Sequence, residues 1–205
     1  MKLKDYYRKA VDMNDSLSGG WATLYYGVFS DVIRENKYKN IAEIGIGYGT
    51  HAKFILKNNP DIEQLYLIDP MKFYDDAFAH GIAEQEPEIE GGNLFDEFHT
   101  LICQELSPWS SKFTWIRKES AVVTEKDIPN ESLDCIFVDG DHSFEHAHHD
   151  LHFWWKKLKK GGQMLGDDYW MGDVEKAVRL FSEEINVPYD LLHKNNYAIF
   201  RFHKK

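Results

Sequence analysis

Ile41-Ala42-Glu43-Ile44-Gly45-Ile46-Gly47-Tyr48-Gly49-Thr50 decides how this chain folds. A short apolar run carries one acid and then breaks into three alternating glycines. A helix-like segment with Ala52, Phe54, Ile55 and Leu56 follows and stops before Asn59-Pro60. Such a run opens a ligand site at the carboxyl end of a first parallel strand, because glycine permits a tight turn and close backbone approach. The spacing is GxGxG rather than GxGxxG, since Thr50 stands where the last glycine of the dinucleotide pattern would be. Glu43 also argues against a pyrophosphate beside it and suits a ligand that carries an amine and a sulfonium.

Working outward, a strand at 40–44 precedes the glycines. Upstream, a helix near Trp21–Glu35 has Leu24, Val28 and Val32 in one row and Tyr25, Phe29 and Ile33 in the next. Downstream strands read at Leu65–Ile68, ending in Asp69-Pro70, at Phe113–Ile116 and at Leu133–Val138. A helix over Phe144–Lys159 ends at Gly161-Gly162, a strand covers Gln163–Gly166, and a helix over Asp173–Glu184 takes Asp173 as its N-cap. Strands at Tyr189–His193 and Tyr197–Phe202 flank a turn at Asn195-Asn196. The expected fold is α/β, a Rossmann-like, mostly parallel seven-stranded sheet with a C-terminal antiparallel hairpin and helices on both faces. The whole chain, 1–205, reads as one domain. It has an N-terminal helical segment (1–38) and an insertion at 71–111, acidic at Glu84, Glu86, Glu88 and Glu90, that suits a lid.

With 205 residues, 43% hydrophobic and 15% aromatic, the chain can bury a sizeable core. A formal charge of −10 gives no overall basic footprint, so nucleic acid is not the expected partner. No apolar run has the length of a signal peptide or a membrane span, so no membrane partner and a cytoplasmic location are expected. Cys103 and Cys135 show no metal spacing, and Cys135 reads as a core residue. The insertion and the N-terminal helix leave room for a homo-oligomer.

In open α/β sheets ligands bind at the carboxyl ends of the strands. Five polar clusters fall there: Glu43 to Gly49, Asp69, Glu119-Ser120, Asp139 to His142, and Asp167-Asp168. Asp69 is placed to accept both hydroxyls of a ribose, a role compatible with several nucleotide cofactors. Asp139, Asp141, Asp167 and Asp168 put several acids at neighbouring strand ends. Clustered carboxylates are costly unless a cation or several donors offset them. Helix capping by Asp141 or Ser143 accounts for one acid at most. Hard oxygen ligands suit Mg²⁺ or Ca²⁺. His142, His146, His148, His149 and His152 invite a zinc reading, but their side chains point in several directions. A solvated or partly packed helix face is the expectation for His148 and His152.

With Glu43 ahead of it, the glycine run resembles motif I of the class I S-adenosylmethionine-dependent methyltransferases. The pattern VDGDHSFEH…HDL…L…GG…GDD resembles the metal-dependent O-methyltransferases, especially the branch acting on macrolide sugars and its cephalosporin-biosynthesis relatives. The resemblance covers the core from about Asn40 to Glu184, without the N-terminal helix or the 71–111 insertion. It implies that Glu43, Gly45, Gly47, Gly49, Asp69, Glu119 and Ser120 contact S-adenosylmethionine. It also implies that Asp139, Asp167 and Asp168 hold Mg²⁺, and that Asp139 and His142 are catalytic, His142 as the base where the catechol-type branch has a lysine. The Asp-Asp pair departs from the Glu-Asp or Asp-Asn of relatives. The implied activity is Mg²⁺-dependent O-methylation of a small hydroxylated acceptor, such as a sugar or another natural-product-like molecule. Competing readings are a metal-independent methyltransferase, an NAD-dependent oxidoreductase, and a non-catalytic cofactor-binding module that presents Trp21, Tyr25, Trp109 and Trp170 to a partner.

Overall fold

The computed structural model describes residues 1–16, 25–73, 77–85, 92–194 and 197–205. Trp21 to Leu24 of the expected first helix, Glu86, Glu88, Glu90 and Gly91 of the insertion, and the Asn195-Asn196 turn lie outside the described residues. The strands are β1 (Asn40–Ile44), β2 (Gln64–Ile68), β3 (Phe113–Ile116), β4 (Leu133–Val138), β5 (Leu158–Gly166), β6 (Tyr189–Lys194) and β7 (Tyr197–His203). They form one sheet in the order β3-β2-β1-β4-β5-β7-β6. β1 to β5 run parallel, while β7 is antiparallel to both β5 and β6. The expected fold class is the observed one.

Side-chain alternation along the strands feeds two cores. Ile41, Leu65, Leu67, Cys135, Phe137 and Leu165 face one cluster, shared with α1 (Leu3–Ser16), α2 (Gly27–Asn36), α3 (Thr50–Asn58), α4 (Ala77–Ala83) and α5 (Leu94–Leu106). Ala42, Ile44, Ile136, Val138 and Met164 face the other, shared with α6 (Phe144–Lys157) and α7 (Gly172–Ile185). Strand order reverses at β1 and β4, and there the crevice for a ligand opens beyond the strand ends.

Several boundaries differ from the sequence reading. α6 stops at Lys157 and the chain enters β5 at once, so Gly161-Gly162 lies inside a strand rather than at a helix end. Leu158 pairs with Leu133, and the register then shifts before Cys135. Gly161, at φ +81°, and Gly162, where a Cβ would stand 2.8 Å from the Asp134 carbonyl oxygen, accommodate that irregularity. α7 begins one residue early with Met171 as its N-cap, which leaves Asp173 in the first turn. The N-terminal segment contains a second helix, α1, whose row Leu3, Tyr7 and Val11 is buried. Within 71–111, α5 is capped by Asn93, whose side chain accepts from the Phe95 N–H at 2.9 Å. No helix among the described residues is long and apolar enough to cross a membrane.

Candidate active site

The glycine loop joins β1 to α3 with all three glycines at positive φ, +83°, +50° and +74°. A Cβ on Gly45 would lie 1.8 Å from the Asp139 carbonyl oxygen, and one on Gly49 would lie 2.5 Å from the Ile102 side chain. Those two glycines let the loop pack against the β4 loop and α5. Gly47 differs: among the described residues nothing stands within 4 Å of a Cβ placed there. It is the glycine that opens on space a ligand can fill.

Backbone bonds hold the strand ends together. The Gly45 N–H donates to the Ile68 carbonyl at 3.0 Å, and the Asp139 N–H to the Ile44 carbonyl at 2.8 Å. Asp69 accepts the Ile46 N–H on Oδ2 at 3.0 Å and the Met71 N–H on Oδ1 at 2.6 Å.

Glu43 is 2% exposed, with Oε1 3.1 Å from His51 Nδ1. Its Oε2 and the His51 Nε2 are buried without a hydrogen-bond partner. Burial raises the Glu43 pKa, against the opposing pull of His51. Tyr25, Tyr26, Phe29 and Phe137 surround the imidazole. An orphaned carboxylate oxygen on the strand that feeds the glycine loop suits an amine donor.

Glu119 is exposed and paired with Lys72. Ser120 accepts the Trp154 indole N–H at 2.7 Å and donates to Asp150. Asp150, on α6, is buried, and that burial pushes its carboxyl up to about 6. The sequence reading missed it. An acid on the same helix face as Ala147, Leu151 and Trp154 was the available signal. His51 and Tyr197 carried no comparable signal.

At the ends of β4 and β5 the acids face one another. His142 Nε2 lies 2.8 Å from Asp168 Oδ2 and 3.9 Å from Asp139 Oδ1. One ligand atom from each of Asp139, His142 and Asp168 falls within 4.8 Å of the others. Asp168 sits at φ +54°, a left-handed turn held by Asp167, whose Oδ1 accepts the Asp168 N–H at 2.7 Å. The same Asp167 oxygen accepts the Tyr197 hydroxyl from β7. Asp167 is therefore buried and tied to the turn and to β7, and it is not one of those three donors. Asp139 and Asp168 push the His142 imidazole up to about 10. Burial, with Asp139 beside it, pushes the Asp167 carboxyl up to about 8. The expected free base at neutral pH is thus a proton-holding imidazole while these carboxylates surround it. A cleft over Val138, Leu151 and Phe200 opens between Asp139, His142 and Asp167.

Sequence comparison completes the picture. The profile of a family described as "Methyltransferase domain" matches residues 42–169, from β1 through the Asp167-Asp168 pair. The chain belongs to that methyltransferase family. Uncharacterized protein R132 of Acanthamoeba polyphaga mimivirus is 22% identical over 184 residues, 87% of this chain and 76% of that protein. The O-methyltransferase TomG of Streptomyces achromogenes, solved with S-adenosylmethionine, superposes with a TM-score of 0.60 at 12% identity, covering 88% of this chain and 80% of TomG. The Podospora anserina methyltransferase PaMTH1, solved with S-adenosylhomocysteine, gives 0.58 at 15% identity over 88% and 78%. These two similarities establish the fold.

Of the aromatics considered for a partner surface, Tyr25 is buried and Trp109 partly buried, while Trp170 is 71% exposed. Tyr169 turns to the hairpin, its hydroxyl 2.7 Å from that of Tyr189.

Proposed function

We propose that this methyltransferase moves the S-adenosylmethionine methyl group to a hydroxyl of a small acceptor, a sugar or another natural-product-like molecule, with a divalent cation, Mg²⁺, at the β4–β5 edge. The observation that carries this reading is the convergence of Asp139, His142 and Asp168 at strand ends, where the β4 loop packs on the glycine loop at Gly45. Carboxylates so close together fit a divalent cation, and Asp139 and Asp168 would hold it, with Asp167 tied to the turn and to β7. When bound, the cation supplies positive charge that offsets these acids and favours the ionised form of an acceptor hydroxyl. Glu43 and Gly47 hold the cofactor's amino-acid end and Asp69 its ribose, with Glu119 and Ser120 near the adenine. His142 Nε2 takes the hydroxyl proton once Asp139 and Asp168 no longer hold a proton on it. Trp170 stacks on the acceptor. The enzyme acts in the cytoplasm and uses no nucleic acid or membrane partner.

The 2.8 Å His142–Asp168 pair, in which the imidazolium itself offsets the acids, favours a second reading, methyl transfer without a metal. Assays of methyl transfer to a panel of hydroxylated small molecules, with Mg²⁺ or with EDTA, separate the two. Activity lost in EDTA and restored by Mg²⁺ is expected. Full turnover in EDTA would falsify the metal-assisted reading, and methylation at nitrogen alone would exclude O-transfer.

A further inference from the structure

We infer that His148, His152 and Glu184 form a second cation site, of the zinc type, on the outer helices. His148 and His152 lie four residues apart on one face of α6, and Glu184 comes from the last turn of α7. Both imidazoles aim Nε2 at the same Glu184 oxygen, at 2.8 and 2.6 Å. One ligand atom from each of the three residues falls within 4.8 Å of the others. The rings are held in place: Phe144 stacks on His148 at 5.5 Å, and Phe181 meets His152 edge-on at 4.8 Å. The neighbouring histidines are engaged elsewhere, His146 with Ser143 at 2.8 Å and His149 on the Phe153 ring.

The donor set selects the ion. Two imidazoles and one carboxylate suit Zn²⁺, whereas Mg²⁺ prefers oxygen ligands and keeps its waters. Bond lengths near 2.0–2.1 Å in a tetrahedral site put donors roughly 3.4 Å apart. Glu184 must therefore retreat by roughly 0.6–0.8 Å, which a side chain 40% exposed at a helix end can do. With the three side chains 24%, 38% and 40% exposed, water can supply a fourth ligand. α6 follows the loop bearing Asp139 and His142, and α7 follows the loop bearing Asp168. An ion here fastens together the two helices behind the reaction centre without touching it.

The test is a zinc titration of the purified chain in excess Mg²⁺, read as bound metal per protein after gel filtration and as melting temperature. The wild type and Asp139→Asn are expected to retain one equivalent of zinc and to melt higher with it. His148→Gln, His152→Gln and Glu184→Gln are expected to bind at least ~100-fold more weakly and to lose the shift. If a histidine variant fails to fold, the visible spectrum of Co²⁺ bound to Asp139→Asn decides: tetrahedral bands support the site, and octahedral bands or no binding overturn it. Zinc lost with Asp139→Asn but kept by His152→Gln, or none retained by the wild type, also overturns it. These readouts involve no methyl transfer, so they stand or fall separately from the proposed reaction.

Discussion

The acids at the ends of β1 and β2 and those at the ends of β4 and β5 share one difficulty, negative charge away from water, and resolve it differently. Asp69 is answered by two backbone N–H groups, and Glu43 by a histidine in an aromatic box. Those partners are fixed by the fold. Asp139, Asp167 and Asp168 are answered largely by protons, one held on His142 and one on Asp167. A proton can leave where a backbone dipole cannot. The first edge has partners that stay in place, and the second has partners that can exchange.

The largest effect is expected from Asp139→Asn. Methyl transfer should fall by about 10³-fold while calorimetry shows S-adenosylmethionine binding within ~3-fold of wild type. Equal loss of both would merge the two edges into one function. Next, Gly45→Ala should cost roughly 3 kcal/mol in urea unfolding, because its Cβ meets the Asp139 carbonyl at 1.8 Å. Gly47→Ala carries only the cost of a left-handed residue, about 1–2 kcal/mol. It should nonetheless weaken cofactor binding about 10-fold, since it fills the open space.

A third test uses pH. The Asp167 carboxyl rises from 3.8 to about 8 and the His142 imidazole from 6.5 to about 10 on folding. The folded state therefore binds more protons than the unfolded chain between those limits, and stability falls as pH rises. Urea midpoints of the cation-free protein should decline from pH about 5 to about 9. Asp167→Asn should flatten the lower part of that slope, and an unchanged slope would show that protons do not balance the β4–β5 acids. The smallest effect is expected from Trp170→Ala, a few-fold rise in acceptor KM with unchanged melting temperature, as the side chain is 71% exposed.

The central strands were legible because buried parallel strands read as short apolar runs, and β1, β3 and β4 have the boundaries expected. Leu158 to Gly162 was not, because a Gly-Gly pair after a helix imitates a helix stop unless the partner strand is known. That Asp139, His142 and Asp168 would lie near one another was legible because they follow the adjacent parallel strands β4 and β5. The sequence reading could not foresee that Tyr197 would reach Asp167, leaving His142 closer to Asp168. That depends on how the hairpin lies against β5. Nor does sequence spacing put Glu184 beside His148 and His152. Only the packing of α6 on α7 does.

The Tyr197 bond to Asp167 has a consequence for biosynthesis. β1 pairs with β4 across more than ninety positions, and β5 meets β7 later still. Such non-local pairings form slowly. A ribosome-bound chain that has delivered the glycine loop and even the Asp167-Asp168 turn still lacks the hydroxyl that restrains Asp167. The Asp167 turn is therefore completed only when the final hairpin pairs with β5.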